Sequence, residues 1–368
     1  MSTSPTVAIV GGGFAGLETA FTIRQHLGDN VQLPLIVDSP YFLCRPNNIY
    51  LPFGREPRLL VSLARPAARR DLTLHRSALA EVDPDADRID LEDGTTLNYD
   101  YLVLATGAAM RPGEIPGLGE YAHTIWTPDK MRDLASALRQ VAAAAGAGRD
   151  QHVLLLVPRG NLCSAPIYDL AFMLETWLRA GKVRDRVDIE LTTWEERYLE
   201  SFGPDLHGAV RTEFAESGIS GTTGLDVDTV HPDRVAYTDG TSRDYDLLIA
   251  FPPHVAAVDY PGLPSNTRGF LKTDPSTSRV MGTENVFAPG DAGDFSVKLA
   301  YLALRQADAA ADEIAWRIDP TAKRDRRKLD FRVGVSPMWN PGRVSLRVYM
   351  PRLFTAGRPS QPGIGGNL

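Results

Sequence analysis

The sequence predicts an α/β fold made of two Rossmann-like domains, the second inserted in the first, plus a short C-terminal segment. Three observations support this prediction. An apolar strand at residues 7–10 runs into glycines at positions 11, 13 and 16. A second apolar strand, at residues 151–157, follows an alanine-rich helical stretch. Residues 284–293 then return to a short strand and turn. Strands that alternate with helices favour a parallel sheet.

The first turn has the spacing of a dinucleotide-binding site. Gly11 permits the tight turn, Gly13 lets a pyrophosphate approach the backbone, and Gly16 lets the following helix pack closely on its strand. Phe14 and Ala15 lie at the start of that helix, whose amide groups would face the anion.

A carboxylate follows the next predicted strand, residues 33–37. Asp38 lies 22 positions after Gly16, where an acid can accept hydrogen bonds from ribose hydroxyls, and Ser39 comes next. The combination of glycine turn and acid favours a nucleotide site over an ordinary glycine-rich turn.

Composition narrows the functional class. The chain has 368 residues, 39 basic and 46 acidic. This mildly acidic balance gives no overall positive charge that would attract nucleic acid. No export signal precedes the first strand, and no run of about 18 apolar residues could span a bilayer. The expectation is a cytoplasmic protein, soluble or peripheral at the inner face of the cell membrane. Cys44 and Cys163 are the two cysteines, which excludes a disulfide-rich scaffold, and no metal site is predicted.

The predicted domains are residues 1–110 and 261–318 for the first unit, 111–260 for the second, and 319–368 for the C-terminal segment. Strands are predicted at residues 71–82, 88–92, 99–108 and 187–193, and the apolar stretch at residues 247–253 closes the second unit. Helices are predicted at residues 59–69, 135–145, 170–180, 205–217 and 298–317. Residues 39–54 contain too much proline and asparagine for a long helix and are predicted to be a loop.

The second unit lacks the glycine cradle that an NADH-binding domain would place after its first strand. Residues 158–163 read Pro-Arg-Gly-Asn-Leu-Cys. Pro158 cannot donate an amide to phosphate and Leu162 would obstruct close approach, so tight NADH binding at this strand end is disfavoured. Cys163 is either a reactive thiol, whose pKa the N-terminus of the following helix would lower, or a buried packing residue.

Further motifs carry a family resemblance. A strand ends at Ala105-Thr106-Gly107, another ends at Gly290-Asp291, and Cys163 is followed by Pro166 and Tyr168-Asp169. This order resembles the pyridine nucleotide-disulfide oxidoreductase superfamily with its glutathione reductase-like fold. Within it, the chain is similar to sulfide:quinone oxidoreductases and to the flavin subunit of flavocytochrome c sulfide dehydrogenase.

The resemblance implies FAD as cofactor. The residues expected to contact it are Gly11, Gly13, Phe14, Ala15, Gly16, Asp38, Ser39, Arg45, Pro46, Ala105, Thr106, Gly107, Gly290, Asp291, Lys298 and Leu299. It also implies that Cys163 takes up sulfur from a small donor beside the flavin, and that Lys298 borders a quinone site.

This chain departs from the family pattern in one respect. The family has a second redox cysteine near the last flavin motif, whereas no cysteine follows Cys163 here. Cys44 could substitute only if the fold brought it near Cys163; as a buried packing residue it would not. Three functions therefore stay open. They are a sulfide:quinone oxidoreductase-like enzyme passing electrons to quinone or a protein acceptor, a type II NADH:quinone dehydrogenase-like enzyme, and a flavin-loaded binding or assembly protein.

The C-terminal segment is expected to be interfacial. Prolines break any long amphipathic helix there. Met338, Trp339, Leu353 and Phe354 could touch a membrane surface, and the alternatives are a homodimer contact or a cover over one of the domains.

Overall fold

The computed structural model describes residues 4–321. Within them the strands β1 to β20 are Val7–Val10, Pro34–Val37, Tyr41–Leu43, Leu60–Ser62, Thr73–Arg76, Leu79–Asp83, Arg88–Leu91, Thr96–Asn98, Tyr101–Leu104, Ala108–Met110, His123–Thr124, Gln151–Val157, Val187–Thr193, Ile219–Thr222, Val227–Val230, Arg234–Tyr237, Ser242–Asp244, Leu247–Ala250, His254–Ala256 and Val286–Phe287. The helices α1 to α7 are Phe14–Leu27, Ala64–Arg69, Leu118–Tyr121, Pro128–Gly146, Ala165–Ala180, Pro204–Ser217 and Ala300–Ile318.

Two parallel sheets of five strands form the centre of the fold. The first has the order β20-β9-β1-β2-β5 and the second β11-β18-β12-β13-β14. All neighbouring strands in these two sheets are parallel. The inner strands β1, β2, β9, β12 and β18 are buried along most of their length and are mainly aliphatic, whereas the edge strands β5, β11 and β14 are partly exposed and mixed in composition. The predicted fold class is confirmed.

The first sheet joins distant parts of the chain. Strand β20 lies beside β9, with Val286 paired to Leu102, and helix α7 packs against α1. The strands of the second sheet lie between residues 123 and 222, with β18 returning at Leu247–Ala250. An antiparallel pair, β10 with β19, connects the two parts.

Several predicted elements have different limits in the structure. Residues 59–69 divide into strand β4 and the short helix α2, because β4 pairs with β3 and Leu59 turns into the core. Residues 39–54, predicted as a loop, contain strand β3 and a 3-10 helix over Arg45–Phe53. The predicted strand at 71–82 is two strands, β5 in the first sheet and β6 in a separate antiparallel sheet with β7 and β8.

None of the helices within residues 4–321 is long and apolar enough to cross a bilayer. The predicted membrane or dimer contact at residues 338–354 lies outside the described residues, as does most of the predicted segment 319–368.

Candidate active site

One elongated cavity of about 1080 Å³ lies at the carboxyl ends of the strands of the first sheet and extends to the start of helix α5. It is lined by most of the residues expected at the cofactor, namely Gly11, Gly13, Phe14, Ala15, Asp38, Ser39, Arg45, Pro46, Ala105, Thr106, Gly107, Asp291, Lys298 and Leu299. Cys163 lines the same cavity. Gly16 and Gly290 do not line the cavity; they lie where neighbouring backbone or side-chain atoms leave no room for a Cβ.

The glycine turn is a tight backbone crossing. A Cβ built on Gly11 would lie 2.2 Å from the carbonyl oxygen of Ala105, and one on Gly16 would lie 1.9 Å from the carbonyl oxygen of Gly11. Gly11 also has φ of +118°, which disfavours other residues. A Cβ on Gly13 would meet no protein atom within 4 Å. The backbone of the turn is therefore tightly packed at Gly11 and Gly16, whereas Gly13 leaves it open toward the cavity.

The chemistry of this end of the cavity suits a pyrophosphate. Helix α1 begins at Phe14 without a side-chain cap on its first amides and without an acid in its first turn. Uncapped amides at a helix N-terminus bind anions. Asp38, at the end of β2, supplies a carboxylate on the same wall for ribose hydroxyls. The residues present therefore fit a dinucleotide.

Helix α7 supports a second turn of the cavity wall, the one that contains Gly290 and Asp291. The backbone N–H of Gly290 donates to Oε1 of buried Gln306 at 2.7 Å, and a Cβ on Gly290 would lie 2.8 Å from the Cβ of Ala15. Gln306 therefore orients the segment that carries Asp291. Burial raises the pKa of Asp291, against the opposing effect of Lys298 and Arg45.

Lys298 lies two residues before α7 rather than on it, which corrects the predicted start of this helix. Its side chain is 3% exposed, donates from Nζ to the carbonyl of Gly293, and lies over the Phe270 ring at 3.9 Å from the centroid. Burial lowers the pKa of Lys298 to about 8, although Asp291 and Asp294 oppose the shift. The Lys298 side chain is therefore mainly protonated at neutral pH and loses its proton as the pH rises through about 8.

Cys163 is held by a hydrogen-bonded turn that follows strand β12. The N–H of Cys163 donates to Oδ1 of Asn161 at 2.9 Å, and Nδ2 of Asn161 donates to the carbonyls of Phe251 and Pro252 at 2.9 and 3.1 Å. The N–H of Leu162 donates to Nδ1 of His254 at 3.2 Å. These bonds fix the sulfur against the second sheet.

We expect Asn161→Ala to loosen this turn. Three hydrogen bonds of a buried side chain are lost, and two carbonyls and one N–H lose their partner, so the free energy of unfolding should fall by about 2 to 3 kcal/mol. Urea denaturation followed by circular dichroism measures the change. The exposed residue Asn30 provides the control, since Asn30→Ala should change the free energy by less than about 0.5 kcal/mol. Equal stability of the two variants would contradict the assigned role.

The expectation that the helix after Cys163 lowers its pKa is wrong. Helix α5 does begin at Ala165, but burial raises the pKa of the Cys163 thiol far above its usual range, and the carboxylates of Asp291, Asp169 and Glu195 raise it further. Desolvation and negative charge here exceed the effect of the helix dipole.

Asp169 is the acid next to this thiol that sequence reasoning did not select as a site residue. It lines the cavity, and no hydrogen bond or ion pair of its carboxylate occurs among residues 4–321. Burial raises its pKa to about 7, so both protonation states are populated near neutrality. The sequence signal was the Tyr168-Asp169 pair at the first turns of an otherwise apolar helix.

Cys44 is a packing residue. It is 3% exposed and belongs to the core of the first unit with Phe42 and Leu63, whereas Cys163 packs against the core of the second unit. Its neighbours Leu43 and Arg45 line the cavity but Cys44 does not. Both cysteines are free thiols. The structure therefore does not bring the two sulfurs together in the cavity.

The strand end where a second dinucleotide would bind is occupied by protein. Glu195, just after β13, is 4% exposed and accepts hydrogen bonds from Ser164, Tyr168 and Thr193 at 2.8 to 2.9 Å. The guanidinium of Arg268 lies 3.2 Å from a Cβ built on Gly160. Glu195, the acid that could hold a ribose, is thus engaged by protein side chains. The guanidinium of Arg268 covers Gly160.

Comparison with known proteins agrees with this geometry. Residues 5–155 match the pyridine nucleotide-disulphide oxidoreductase family. This part of the chain, residues 5–155, belongs to the pyridine nucleotide-disulphide oxidoreductase superfamily. FAD is the cofactor of this superfamily, and the residues lining the cavity fit it, so the predicted superfamily and cofactor are confirmed.

Within the superfamily the chain is similar to sulfide-quinone reductase of Aquifex aeolicus (strain VF5), at 30% identity over 251 residues, which cover 67% of this chain and 56% of the relative. It is also similar to the mitochondrial sulfide:quinone oxidoreductase of Schizosaccharomyces pombe (strain 972 / ATCC 24843), at 25% identity over 345 residues, 82% of this chain and 72% of the relative. The solved structure of the Aquifex aeolicus sulfide:quinone oxidoreductase aligns with a TM-score of 0.77 at 23% identity, over 85% of this chain and 77% of the other. The chain thus spans little more than half the length of the curated Aquifex relative.

Proposed function

We propose that this protein is a FAD-dependent oxidoreductase that oxidises sulfide or a related sulfur compound at Cys163 and passes the electrons to a quinone or a protein acceptor. The observation that carries the proposal is the position of Cys163. Its thiol lines the same cavity as the glycine turn, at the strand end where the second unit lacks a nucleotide cradle. The relatives named for sulfide and quinone support the same assignment.

FAD bound in this cavity would supply a two-electron acceptor. Uptake of hydrogen sulfide by Cys163 as a persulfide releases two electrons and two protons. Because the pKa of Cys163 is high, a neighbouring base must take a proton before the sulfur can react. Asp169 suits this step, since its pKa of about 7 lets it accept a proton at neutral pH and release it afterwards. The ammonium group of Lys298, whose backbone N–H donates to the carbonyl of Leu162, supplies positive charge in the same cavity.

The persulfide must be unloaded by a molecule from solution. Cys44 is the one other thiol of the chain, and it is buried in a different core. An internal disulfide with Cys163 would need the two Cα atoms within about 7 Å, and the packing of Cys44 away from the cavity gives it no route to such a bond. We therefore assign the acceptor of the sulfane sulfur to an external thiol or a second sulfide.

NADH is a poor donor in this scheme. An NADH dehydrogenase-like enzyme would need the strand end after β12 to hold a pyrophosphate and the acid after β13 to hold a ribose. Pro158 lacks the amide, Arg268 covers Gly160, and Glu195 is fully engaged within the protein. Binding NADH there would require these contacts to break.

Anaerobic mixing with sulfide tests the proposal. Sulfide should bleach the flavin absorbance at about 450 nm, whereas NADH should leave it unchanged. A Cys163→Ser variant should lose bleaching by sulfide, because a hydroxyl cannot take up sulfur. Cys44→Ala is the matched control, since it removes the other thiol but should keep the reaction.

Each outcome assigns a different function. Bleaching by NADH and not by sulfide would favour the NADH dehydrogenase-like alternative. A flavin that stays oxidised with sulfide, thiols, NADH and NADPH would favour a binding or assembly role. Undiminished bleaching of Cys163→Ser by sulfide would remove Cys163 from the mechanism.

A further inference from the structure

A concentration of unpaired arginines lies between residues 45 and 76. This stretch holds seven arginines and two acids, although the whole chain has a net charge of −7. Besides Arg45, which lines the cavity, six of them, Arg55, Arg58, Arg65, Arg69, Arg70 and Arg76, are exposed, and none of the six forms an ion pair with another of residues 4–321. We call residues 55–70 the arginine segment.

Arginines elsewhere in the fold are commonly neutralised. Arg268 pairs with Glu114 at 2.9 Å and Arg243 pairs with Glu190 at 3.0 Å. Within the arginine segment, the acid Glu56 is drawn to Arg132 on helix α4. The positive charge of the segment is therefore not balanced by the protein around it, although the protein has an excess of acids.

The β3–β4 hairpin places this segment at the mouth of the FAD cavity. Leu43 pairs with Leu60 and Tyr41 with Ser62. Tyr41, Leu43 and Leu60 all line the cavity. Because side chains alternate along a strand, Leu60 and Ser62 lie on the same face of β4, and Arg58 precedes this strand by two residues. Helix α2, which carries Arg65, begins two residues after Ser62.

The residue type indicates the kind of partner. All cations before Lys130 in the chain are arginines. The planar guanidinium group binds carboxylates with two parallel hydrogen bonds, and arginine is enriched at protein interfaces where lysine is depleted. A membrane surface would also attract these charges, but stable attachment needs an apolar face as well. Helix α2 has only six residues, too few to lie in a bilayer interface as an amphipathic helix.

We propose that the arginine segment docks a small acidic electron-carrier protein at the mouth of the FAD cavity. The proposal rests on the proposed function, because it names the class of acceptor that removes the electrons. Long-range attraction between the arginines and the acidic carrier would speed the encounter. The rim residues Tyr41 and Leu60 would then set a short path between the carrier and the cavity.

Binding measurements with purified acidic carriers test this docking. The probes are a plant-type ferredoxin, a flavodoxin and the soluble domain of cytochrome b5, each titrated against the FAD-loaded protein by isothermal calorimetry. At least one should bind at about 20 mM NaCl, and its affinity should fall about tenfold or more at about 500 mM NaCl, since salt screens the attraction.

A charge-reversal pair identifies the surface. The double variant Arg58→Glu/Arg65→Glu should lower the affinity for the carrier about tenfold or more. The matched control is Arg139→Glu/Arg211→Glu, which reverses two exposed arginines on helices α4 and α6 and should change the affinity less than about twofold. Circular dichroism melting of both variants checks that the fold is retained.

Three results would overturn the proposal. The first is that no carrier binds at low salt, and the second is that the two double variants lose affinity equally. The third is that no carrier binds, while vesicles of phosphatidylserine and phosphatidylcholine retain the wild type but not the Arg58→Glu/Arg65→Glu variant. The last would assign the segment to a membrane. Bleaching by sulfide is measured on the same variants. Bleaching without carrier binding contradicts this inference alone, and carrier binding without bleaching contradicts the proposed function alone.

Discussion

A Gly13→Ala variant should fold normally and bind FAD about a hundredfold more weakly than the wild type. The backbone at Gly13 has φ of −87° and ψ of −165°, which alanine adopts, and the added methyl group would touch no protein atom within 4 Å. The methyl would instead project from the turn into the cavity, where a pyrophosphate must approach the backbone. A loss of about 2.7 kcal/mol in binding corresponds to this change in affinity.

Gly11→Ala gives the contrasting result. Its methyl would lie 2.2 Å from the carbonyl oxygen of Ala105 at a φ that alanine disfavours, so the apoprotein itself should be destabilised by several kcal/mol. Thermal melting of both apoproteins and equilibrium dialysis with FAD separate the two effects. Wild-type FAD affinity in Gly13→Ala would show that the pyrophosphate does not bind at this turn.

An Asp169→Asn variant should be more stable than the wild type above neutral pH. Aspartate in an unfolded chain has a pKa of about 3.9, whereas burial raises the pKa of Asp169 to about 7 in the folded protein. Between these values the folded state binds a proton that the unfolded state has released. Stability contributed by Asp169 is therefore full below about pH 4 and lost as pH rises through about 7. The uncharged amide avoids this loss.

The expected gain is about 2 kcal/mol in free energy of unfolding at pH 8, below the upper limit of about 4 kcal/mol that the full pKa difference allows. At pH 4 the two proteins should have nearly equal stability. Urea denaturation at a series of pH values measures the difference. The control Asp85→Asn changes an exposed turn residue and should give no pH-dependent difference. A constant offset for Asp169→Asn across the range would mean that its carboxyl is not desolvated.

The parts of the fold that the sequence predicts best are those where local pattern and tertiary environment agree. The strands at residues 151–157 and 187–193 have the predicted limits. The first is apolar from Val153 to Val157, as a central parallel strand usually is, whereas Asp188 and Glu190 interrupt the apolar pattern of the second. Residues 45–53 form a 3-10 helix that proline and asparagine do not predict. Its conformation depends on packing against helices α4 and α5.

The candidate site divides in the same way. The glycines are predicted by their spacing, since Gly11 and Gly16 have no room for a side chain and Gly13 leaves the backbone open to the cavity. The pKa of Cys163 was predicted in the wrong direction, because the nearby helix start is visible in sequence whereas burial and the carboxylates of Asp291 and Glu195 arise only from the fold. Asn161 and His254 are 93 positions apart in the chain, and their joint support of Cys163 through hydrogen bonds has no local signature.

The pairing of β20 with β9, and of helix α7 with α1, has a consequence for biosynthesis. The cavity wall needs residues 10–15 and residues 289–303 together, so a chain still on the ribosome cannot complete it until its second unit has been made. That unit contains its own five-stranded sheet and can fold first, as domains do during translation. Until α7 emerges, the apolar face of α1 has no partner. The nascent chain should therefore acquire FAD late, and the interval before acquisition is when it most needs protection by chaperones.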